Sequence, residues 1–363
     1  MKVELHRSLA ELESLRPAWT ELAEHAGAGP FTRPWYAIPW AAELGQGAVT
    51  VVTVRSGTDL VAVAPLHVRR RAGLELVRFL GHGLGTVSEL VLDPAHPGAG
   101  IEIWNAVLGR RRRVAELLTY PEHGAGLAAL ESRSGAFRSI PAERCPTICP
   151  GTSLDAFLAS RRKSLRRVFR TSERLLAEAR ATLSAEVVTS VDALDGAIAE
   201  VRPVIDRAEA AHPRLHALEG RVGTFTRRLL AEAAEVGALR LFVLRVDDQP
   251  VACDFAFVSG DRLSCWYGRF DPDHRDLAPG HLNCREMVRH AIAEDLETVD
   301  LLIGDDPYKH RWSTGHYDTV DVLASGSAAG LATGRLLLQF AARARALADR
   351  VRHGGGGEDA DGT

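Results

Sequence analysis

Lysine is nearly missing from this chain: of 44 basic side chains among 363 residues, only Lys2, Lys163 and Lys309 are lysines. Arginine cannot copy a compact ammonium, so each surviving lysine is more informative than usual. Cysteine is scarce as well. The five residues Cys145, Cys149, Cys253, Cys265 and Cys284 are an odd set in a long chain. That speaks against a disulfide framework and for reduced thiols in a cytoplasmic protein. Cys145 and Cys149 lack the second pair a zinc site needs, and the histidines show no ligand spacing, so no metal is expected. No apolar run approaches the roughly 20 residues of a membrane span, and MKVELHRSLAELES has no signal-peptide apolar region. A net charge of −3 gives no general attraction to DNA. The 46% apolar and 25% charged content excludes collagen, coiled coil and wholesale disorder. At about 150 residues per domain, the length predicts two domains or one large one.

Periodicity organises the rest. SLAELESLRPAWTELAEHAG repeats apolar residues at helical spacing and stops at Gly27 and Gly29. PFTRPWYAIPW reads as a loop entering a short helix, and Ser56-Gly57-Thr58-Asp59 joins two β-branched runs as a hairpin. LELVRFLG and SELVLDP read as strands, GIEIWNAVLGRRRRVAELLTY as a helix and then a strand, and AERCPTICP as an irregular exit. The domain boundary is placed near Gly151. SLDAFLASRRKSLRRVFRTSERLLAEA follows as one long helix with Ser153 as its cap and arginines on more than one face. Later, LRLFVLRVDDQPVACDFAFVSGDRLSCWYGRFD predicts three strands, HLNCREMVRHAIAEDL a helix, and TVDLLIGDD a buried strand ending in acids. The expected units are 1–150, 151–330, a helix over 331–352 and a disordered tail over 353–363. Strand-strand-strand, helix, strand is an α+β pattern with a mixed sheet, and the first half carries a similar one.

Four stretches carry candidate chemistry. Pro279-Gly280 opens a helix directly after a strand and turn. The first-turn amides of His281, Leu282 and Asn283 are expected to lack intrahelical partners there and to suit an anion such as pyrophosphate; the alternative is an ordinary loop-to-helix junction. Asp254 lies in the apolar strand VACDFAF, where a carboxylate is costly, so it is a base, an amine anchor or a salt-bridged core acid. Asp305, Asp306, Tyr308, Lys309 and Arg311 follow a strand end. Lys309 there stabilises an oxyanion or fixes an anionic acceptor, Tyr308 protonates a thiolate, or the segment is a rigid turn with Asp306 paired to Arg311. Gly81-His82-Gly83-Leu84-Gly85 lacks the ending of a phosphate loop and reads as a mobile loop. If the two domains face each other, His82 and Glu89 line an acceptor pocket.

The stretch from Trp266 to Trp312 resembles the GNAT-superfamily acyltransferase domain of CelD-like proteins (the BioF2-like acetyltransferase domain), which is related to the FemAB peptidyltransferases. The matching elements are Asp271-Pro272, Leu277-Ala278-Pro279-Gly280 and, above all, Asp306-Pro307-Tyr308-Lys309-His310-Arg311-Trp312. Weaker matches are the basic helix around Arg161 to Arg174, PFTRPWY and VAPLHVRRR, so the resemblance spans roughly residues 8–325. The glutamine- or arginine-led, glycine-rich loop common in GNAT proteins is replaced by Leu277-Ala278-Pro279-Gly280. The resemblance implies two tandem GNAT-like domains, each a mixed, mostly antiparallel sheet flanked by helices. It implies acetyl-CoA or another acyl-CoA lying against Trp266, Tyr267, Gly268 and Arg269, with its pyrophosphate at Pro279, Gly280, His281, Leu282 and Asn283. The catalytic set is then Lys309, Tyr308, Asp254 and Asp306, with His82, Glu89, Asp305 and Arg311 on the acceptor side.

The function expected is transfer of an acyl group, acetyl by default, from acyl-CoA directly to the amine of a small molecule. The FemAB likeness leaves an aminoacyl-tRNA-dependent transferase as an alternative. The arginine-rich helix supports it, while no coiled-coil arm for tRNA is visible. A non-catalytic protein that keeps the fold is the third reading. Acceptor, acyl length and oligomeric state cannot be read from these residues.

Overall fold

The computed structural model describes residues 1–338 except 46, 47, 111, 134 and 305. The first half runs β1 (Lys2–His6), α1 (Leu9–His25), α2 (Pro34–Glu43), β2 (Val49–Ser56), β3 (Asp59–Arg71), β4 (Leu74–Phe79) and β5 (Val91–Leu92). It continues as α3 (Ala99–Leu108), β6 (Arg113–Pro121), α4 (Ala125–Glu131) and β7 (Ala136–Ile148). Helices α5 (Leu154–Ser160) and α6 (Lys163–Ala179) connect to the second half: β8 (Leu183–Val188), α7 (Val191–Ala211), α8 (Gly220–Glu235), β9 (Leu239–Val246), β10 (Gln249–Ser259) and β11 (Arg262–Phe270). Then come α9 (Pro279–Ala293), β12 (Thr298–Asp300), α10 (Pro307–Trp312) and β13 (Gly315–Ser325), and 328–338 is helical. Residues 339–363, with most of the expected carboxy-terminal helix and all of the expected tail, lie outside the described residues.

Both halves thus repeat one order: strand, two helices, a three-stranded meander, a helix, a strand, a short helix and a last strand. The strands join in one mixed sheet, ordered β1-β2-β3-β4-β6-β13-β7-β12-β11-β10-β9-β8, with β5 paired to β3 off this path. Only the β4–β6 and β11–β12 pairings are parallel among the described residues. Read outward from its centre, the order is the same in both directions, but the two central strands are exchanged. The last strand of each half lies beside the fifth meander-side strand of the other half. β13 is antiparallel to β6 and to β7, and β7 is also antiparallel to β12.

This exchange accounts for what periodicity missed. Ala136–Ile148 carries Pro141 and Pro146, which argue against a central strand. On the β12 side, however, only Thr147 and Ile148 are paired, so the prolines lie where no ladder donor is needed on that flank. Pro141 faces Val320 beside a register shift in the β13 pairing. The long basic helix is in fact two helices, because Arg161 is extended (ψ 160°) and ends α5.

The halves also share a core. Trp35 packs on Phe257 with ring centroids 5.2 Å apart, and Tyr36 meets Phe225 edge-on at 5.6 Å. These aromatics come from PFTRPWY, whose prolines start a 3₁₀ turn (Pro30–Thr32) and then α2 at its first position. Separate cores lie under the first-half strands, around Trp104 and Tyr120, and under the second-half strands, around Trp312 and Phe169.

One consequence is testable. In a fragment ending at residue 150, β7 loses both of its partner strands. Fragment 1–150 alone is expected to show no cooperative melting transition, and co-expression with 151–363 should restore a soluble complex that melts in one step. Cooperative unfolding of 1–150 alone would refute the exchange.

Candidate active site

The second half builds a cleft because two adjacent strands part. β11 pairs with β12 only through Arg262, Ser264 and the residue between, opposite Thr298 to Asp300. Past Ser264, β11 keeps only its β10 neighbour. A register shift there sets Phe255 opposite Tyr267 and Ala256 opposite Cys265, leaving Trp266 without a partner. The indole of Trp266 instead donates to the Leu84 carbonyl at 3.0 Å. Gly81-His82-Gly83-Leu84-Gly85 is therefore neither a phosphate loop nor a free one. Three of its glycines take positive φ, and the loop reaches across from the first half to wall the cleft at Gly85. The enclosed cavity is about 520 Å³.

Asp254 lies on this cavity, opposite Gly268 in the β10–β11 ladder. Its Oδ1 occupies the space that a Cβ on residue 268 would need, at 2.1 Å, so glycine makes room for the carboxylate. The Asn283 side-chain amide donates to Oδ2 at 2.6 Å. No cation is paired with Asp254 among the described residues, and burial pushes its carboxyl up to about 7.

Across the cleft, β12 ends in a held turn. Asp300 is buried and accepts from Arg262 at 3.1 Å, Tyr317 at 3.0 Å and the Leu302 N–H at 2.9 Å. Leu302 itself takes a left-handed φ of 53°, a conformation costing roughly 1–2 kcal/mol. The Lys309 ammonium donates to the carbonyls of Leu301 (2.8 Å), Leu302 (3.5 Å) and Ile303 (2.6 Å). An ammonium has three protons, and all three face main-chain oxygens. Lys309 lines the cavity, yet its geometry is that of a clamp on the strand end rather than of a free oxyanion donor. Asp306 also lines the cavity and stands at the N-cap position of α10 without a side-chain capping bond; among the described residues it forms no ion pair with Arg311. Arg311 is exposed and outside the cavity, and Asp305 lies outside the described residues.

His281 has the more suitable donor. The Trp312 indole N–H donates to its Nδ1 at 2.9 Å, and the two rings stack at 6.3 Å. Burial lowers the imidazole to about 4, so it is neutral near pH 7, and with Nδ1 accepting, the proton sits on Nε2. Tyr308 meets His281 edge-on at 6.0 Å. Burial of its hydroxyl, with Asp254 nearby, pushes the phenol well up, so it stays a proton donor.

The α9 start differs from expectation. Ala278 takes a left-handed φ of 52°, and its carbonyl accepts from the His281 and Leu282 amides at 2.9 and 3.2 Å. Those amides are engaged rather than free. Leu282 is packed in the core and Asn283 is spent on Asp254, so neither lines the cavity. Trp266, Tyr267, Gly268, Arg269, Pro279, Gly280 and His281 do line it. Arg269 lies 4.1 Å over the Tyr267 ring and is tied to Glu209 at 2.6 Å. Sequence reasoning missed Arg214 and Arg275, exposed guanidiniums on the cavity rim. Arg275 was visible within the turn before Pro279, whereas Arg214 follows a helix with no motif of its own. Of the residues expected on the acceptor side, Glu89 lines a separate cavity in the first half, and His82 is half-buried and lines neither. One carboxylate–histidine group, Asp206, His216 and Glu219, brings its donor atoms within 4.8 Å, but Arg202 already answers Asp206 and Glu219.

Residues 160–310 match the family model described as acetyltransferase (GNAT) domain. No curated protein matches the chain. Among solved structures, it is similar to FemX, at 11% identity and TM-score 0.59, over 88% of this chain and 97% of that one. It is similar to the L-PGS of Bacillus licheniformis, at 13% identity and TM-score 0.56, over 92% and 96%. A third is the C-terminal domain (DUF2156) assigned to a lysylphosphatidylglycerol synthetase of Agrobacterium fabrum, at 15% identity and TM-score 0.60, over 90% and 95%. At these identities the structures show a shared fold. No helix among the described residues is long and apolar enough to cross a membrane. The family match gives this chain an acetyltransferase (GNAT) domain over residues 160–310, built around the parted strands.

Proposed function

We propose that the protein moves an acyl group, acetyl by default, from acyl-CoA directly to the amine of a small molecule. The observation that carries this reading is Asp254, a carboxyl raised to about 7 without an ion-pair partner, facing the cleft between parted strands. A base poised near the working pH accepts the proton of an arriving ammonium most effectively. The freed amine attacks the thioester carbonyl. His281 Nε2–H is suited to donate to the oxyanion, and the Tyr308 hydroxyl to protonate the departing thiolate. Arg214 and Arg275 are the exposed guanidiniums available to phosphates at the rim, while Arg269 is held by Glu209. Lys309 acts through the turn it clamps, as a positioning residue.

The sign of the pH effect follows from burial. Asp254 binds its proton more tightly in the folded protein than in the unfolded chain, so its carboxyl lowers stability progressively as pH rises from about 4 to about 7. Activity needs the other form and rises through the same region. Asp254→Asn is therefore expected to lower kcat by about 100-fold, to remove the acidic limb near pH 7, and to raise the melting temperature at pH 8. Wild-type turnover by this variant would exclude Asp254 as the base.

Lys309→Met strands three carbonyls at a buried strand end, a loss of about 3 kcal/mol or more. It should lower the melting temperature and kcat together. Lys309→Arg cannot place a planar fork on the same three oxygens and should recover little of either. Full recovery by arginine in both thermal and kinetic assays would refute the clamp.

The donor has its own test. A Cβ on residue 280 meets only Phe270, at 3.8 Å, so the fold has room for a side chain there. Gly280→Val should keep the wild-type melting temperature and weaken acetyl-CoA binding in calorimetry by about tenfold or more. One feature favours the aminoacyl-tRNA reading. Arg162, Lys163, Arg167 and Arg170 are exposed on α6, which is joined to the turn before Pro279 by Ser172 donating to the Leu277 carbonyl at 2.8 Å. Unchanged acetyl-CoA affinity in Gly280→Val, together with steeply salt-dependent tRNA binding by the wild type, would reverse the choice of donor.

A further inference from the structure

The two halves repeat a hydrogen-bonded turn as well as an element order. In the second half the chain passes from β11 into Asp271-Pro272. The Asp271 carboxylate accepts from the Asp273 N–H at 3.1 Å and contacts His274 Nδ1 at 3.3 Å, ahead of Pro279-Gly280 and α9. In the first half β5 leads into Asp93-Pro94. The Asp93 carboxylate accepts from the Ala95 N–H at 2.8 Å and contacts His96 Nδ1 at 2.9 Å, ahead of Pro97-Gly98 and α3. A cavity lies beside each turn. That of the first half is about 860 Å³ and shares no lining residue with the cleft holding Asp254.

The charge, however, is inverted. The second-half cavity carries four basic residues, Arg214, Arg269, Arg275 and Lys309, against the two carboxyls of Asp254 and Asp306. The first-half cavity has no lysine or arginine in its lining, and it carries Glu89 and Asp93. A phosphate-bearing ligand would meet two carboxylates and no permanent cation there, which speaks against a second acyl-CoA site on charge. Glu89 is the unanswered group. Its Oε2 occupies space that a Cβ on Gly124 would fill, at 2.7 Å, so the wall is shaped around the carboxyl. No hydrogen bond or ion pair to that carboxyl is made by any described residue, and burial alone pushes it up to about 7. The titratable groups facing it are Tyr120 from β6, His123 before α4 and Asp93 with its neighbours His25 and His96; none is a permanent cation. The rest of the lining is small and apolar, with Leu92, Ile101 and Ala128 among it. A half-buried carboxyl without a partner in a largely apolar hollow gains most from a cation that brings its own hydrogen bonds.

We propose that the first-half cavity binds a small organic ammonium ion, its charge on Glu89 and its apolar body against Leu92, Ile101 and Ala128. The assignment is independent of the donor and of the reaction at Asp254.

The test is calorimetry of the full chain with n-butylammonium chloride, n-butanol and CoA as separate probes. Saturable one-to-one binding of butylammonium is expected, weakened about tenfold or more in Glu89→Gln and unchanged in Asp254→Asn. Ala128→Trp, at an exposed position on the rim, should abolish it without lowering the melting temperature, which covers the case of a poorly folded Glu89→Gln. n-Butanol should bind about tenfold more weakly than the ammonium or not at all. Absence of saturation by tens of millimolar, equal affinity for butanol, or loss in Asp254→Asn but not in Glu89→Gln would each overturn the proposal. So would two equivalents of CoA per chain.

Discussion

Everything that positions the cleft rests on β7 lying between β12 and β13. β12 is three residues long and cannot be held by β11 alone, whose pairing with it stops at Ser264. Ile148 and Thr147 of β7 supply its second neighbour. Without that flank the end of β12, with the turn clamped by Lys309, has no fixed place relative to β11. The width of the cleft would then be undefined. The catalytic half thus borrows a strand from the other half, and it also borrows the Gly81–Gly85 wall through the Trp266–Leu84 contact. Tandem duplication is a mechanical requirement here, because neither half closes its own sheet.

Within that frame the cleft is held open by costs met elsewhere. A carboxylate among apolar strands, a left-handed leucine and a buried ammonium are each unfavourable alone. Asp300 and Lys309 offset the Leu302 conformation by taking four backbone groups of the turn between them. Gly268 offsets the bulk of Asp254, and Asn283 satisfies one of its oxygens, but no cation among the described residues pairs with it directly. That deficit keeps the carboxyl near neutrality on both sides of its titration, which is where a proton acceptor is useful.

The α+β class, the hairpin at Ser56–Asp59, the meander of β9 to β11 and the helix after Pro279 were legible, because each depends on local periodicity or turn chemistry. Asp254 was legible because a lone acid in an apolar strand has few innocent explanations. β7 was hidden by Pro141 and Pro146, which are tolerated only through pairing with a strand some 175 positions later in the chain, as in Cys145 facing Tyr317. The role of Lys309 was hidden for a related reason. Its partners are main-chain carbonyls, which no residue type announces. Trp312 resembled part of a family signature; the structure gives it a physical task, fixing the tautomer of His281 while packing on Phe157 and Phe169. Glu89 was noticed as an acid, but the cavity it lines, in the first half, depends on tertiary packing that no local pattern announces.

The repeated Asp-Pro turn allows the two halves to be read against each other as physical alternatives. The same backbone device, an aspartate accepting from the second residue after it and a histidine three on, precedes a helix in both. Geometry alone therefore does not decide what the adjoining cavity takes. Charge does. In the second half Asp271 is also paired with Arg207 at 2.8 Å, and further guanidiniums ring the opening. In the first half Asp93 has only histidines beside it, and the nearest unanswered group is a carboxyl. Arginine at this turn makes the opening attractive to anions; its absence, with the half-buried Glu89 beyond, makes the other opening attractive to cations. A few side chains around an unchanged backbone motif are enough to give the two cavities opposite charge.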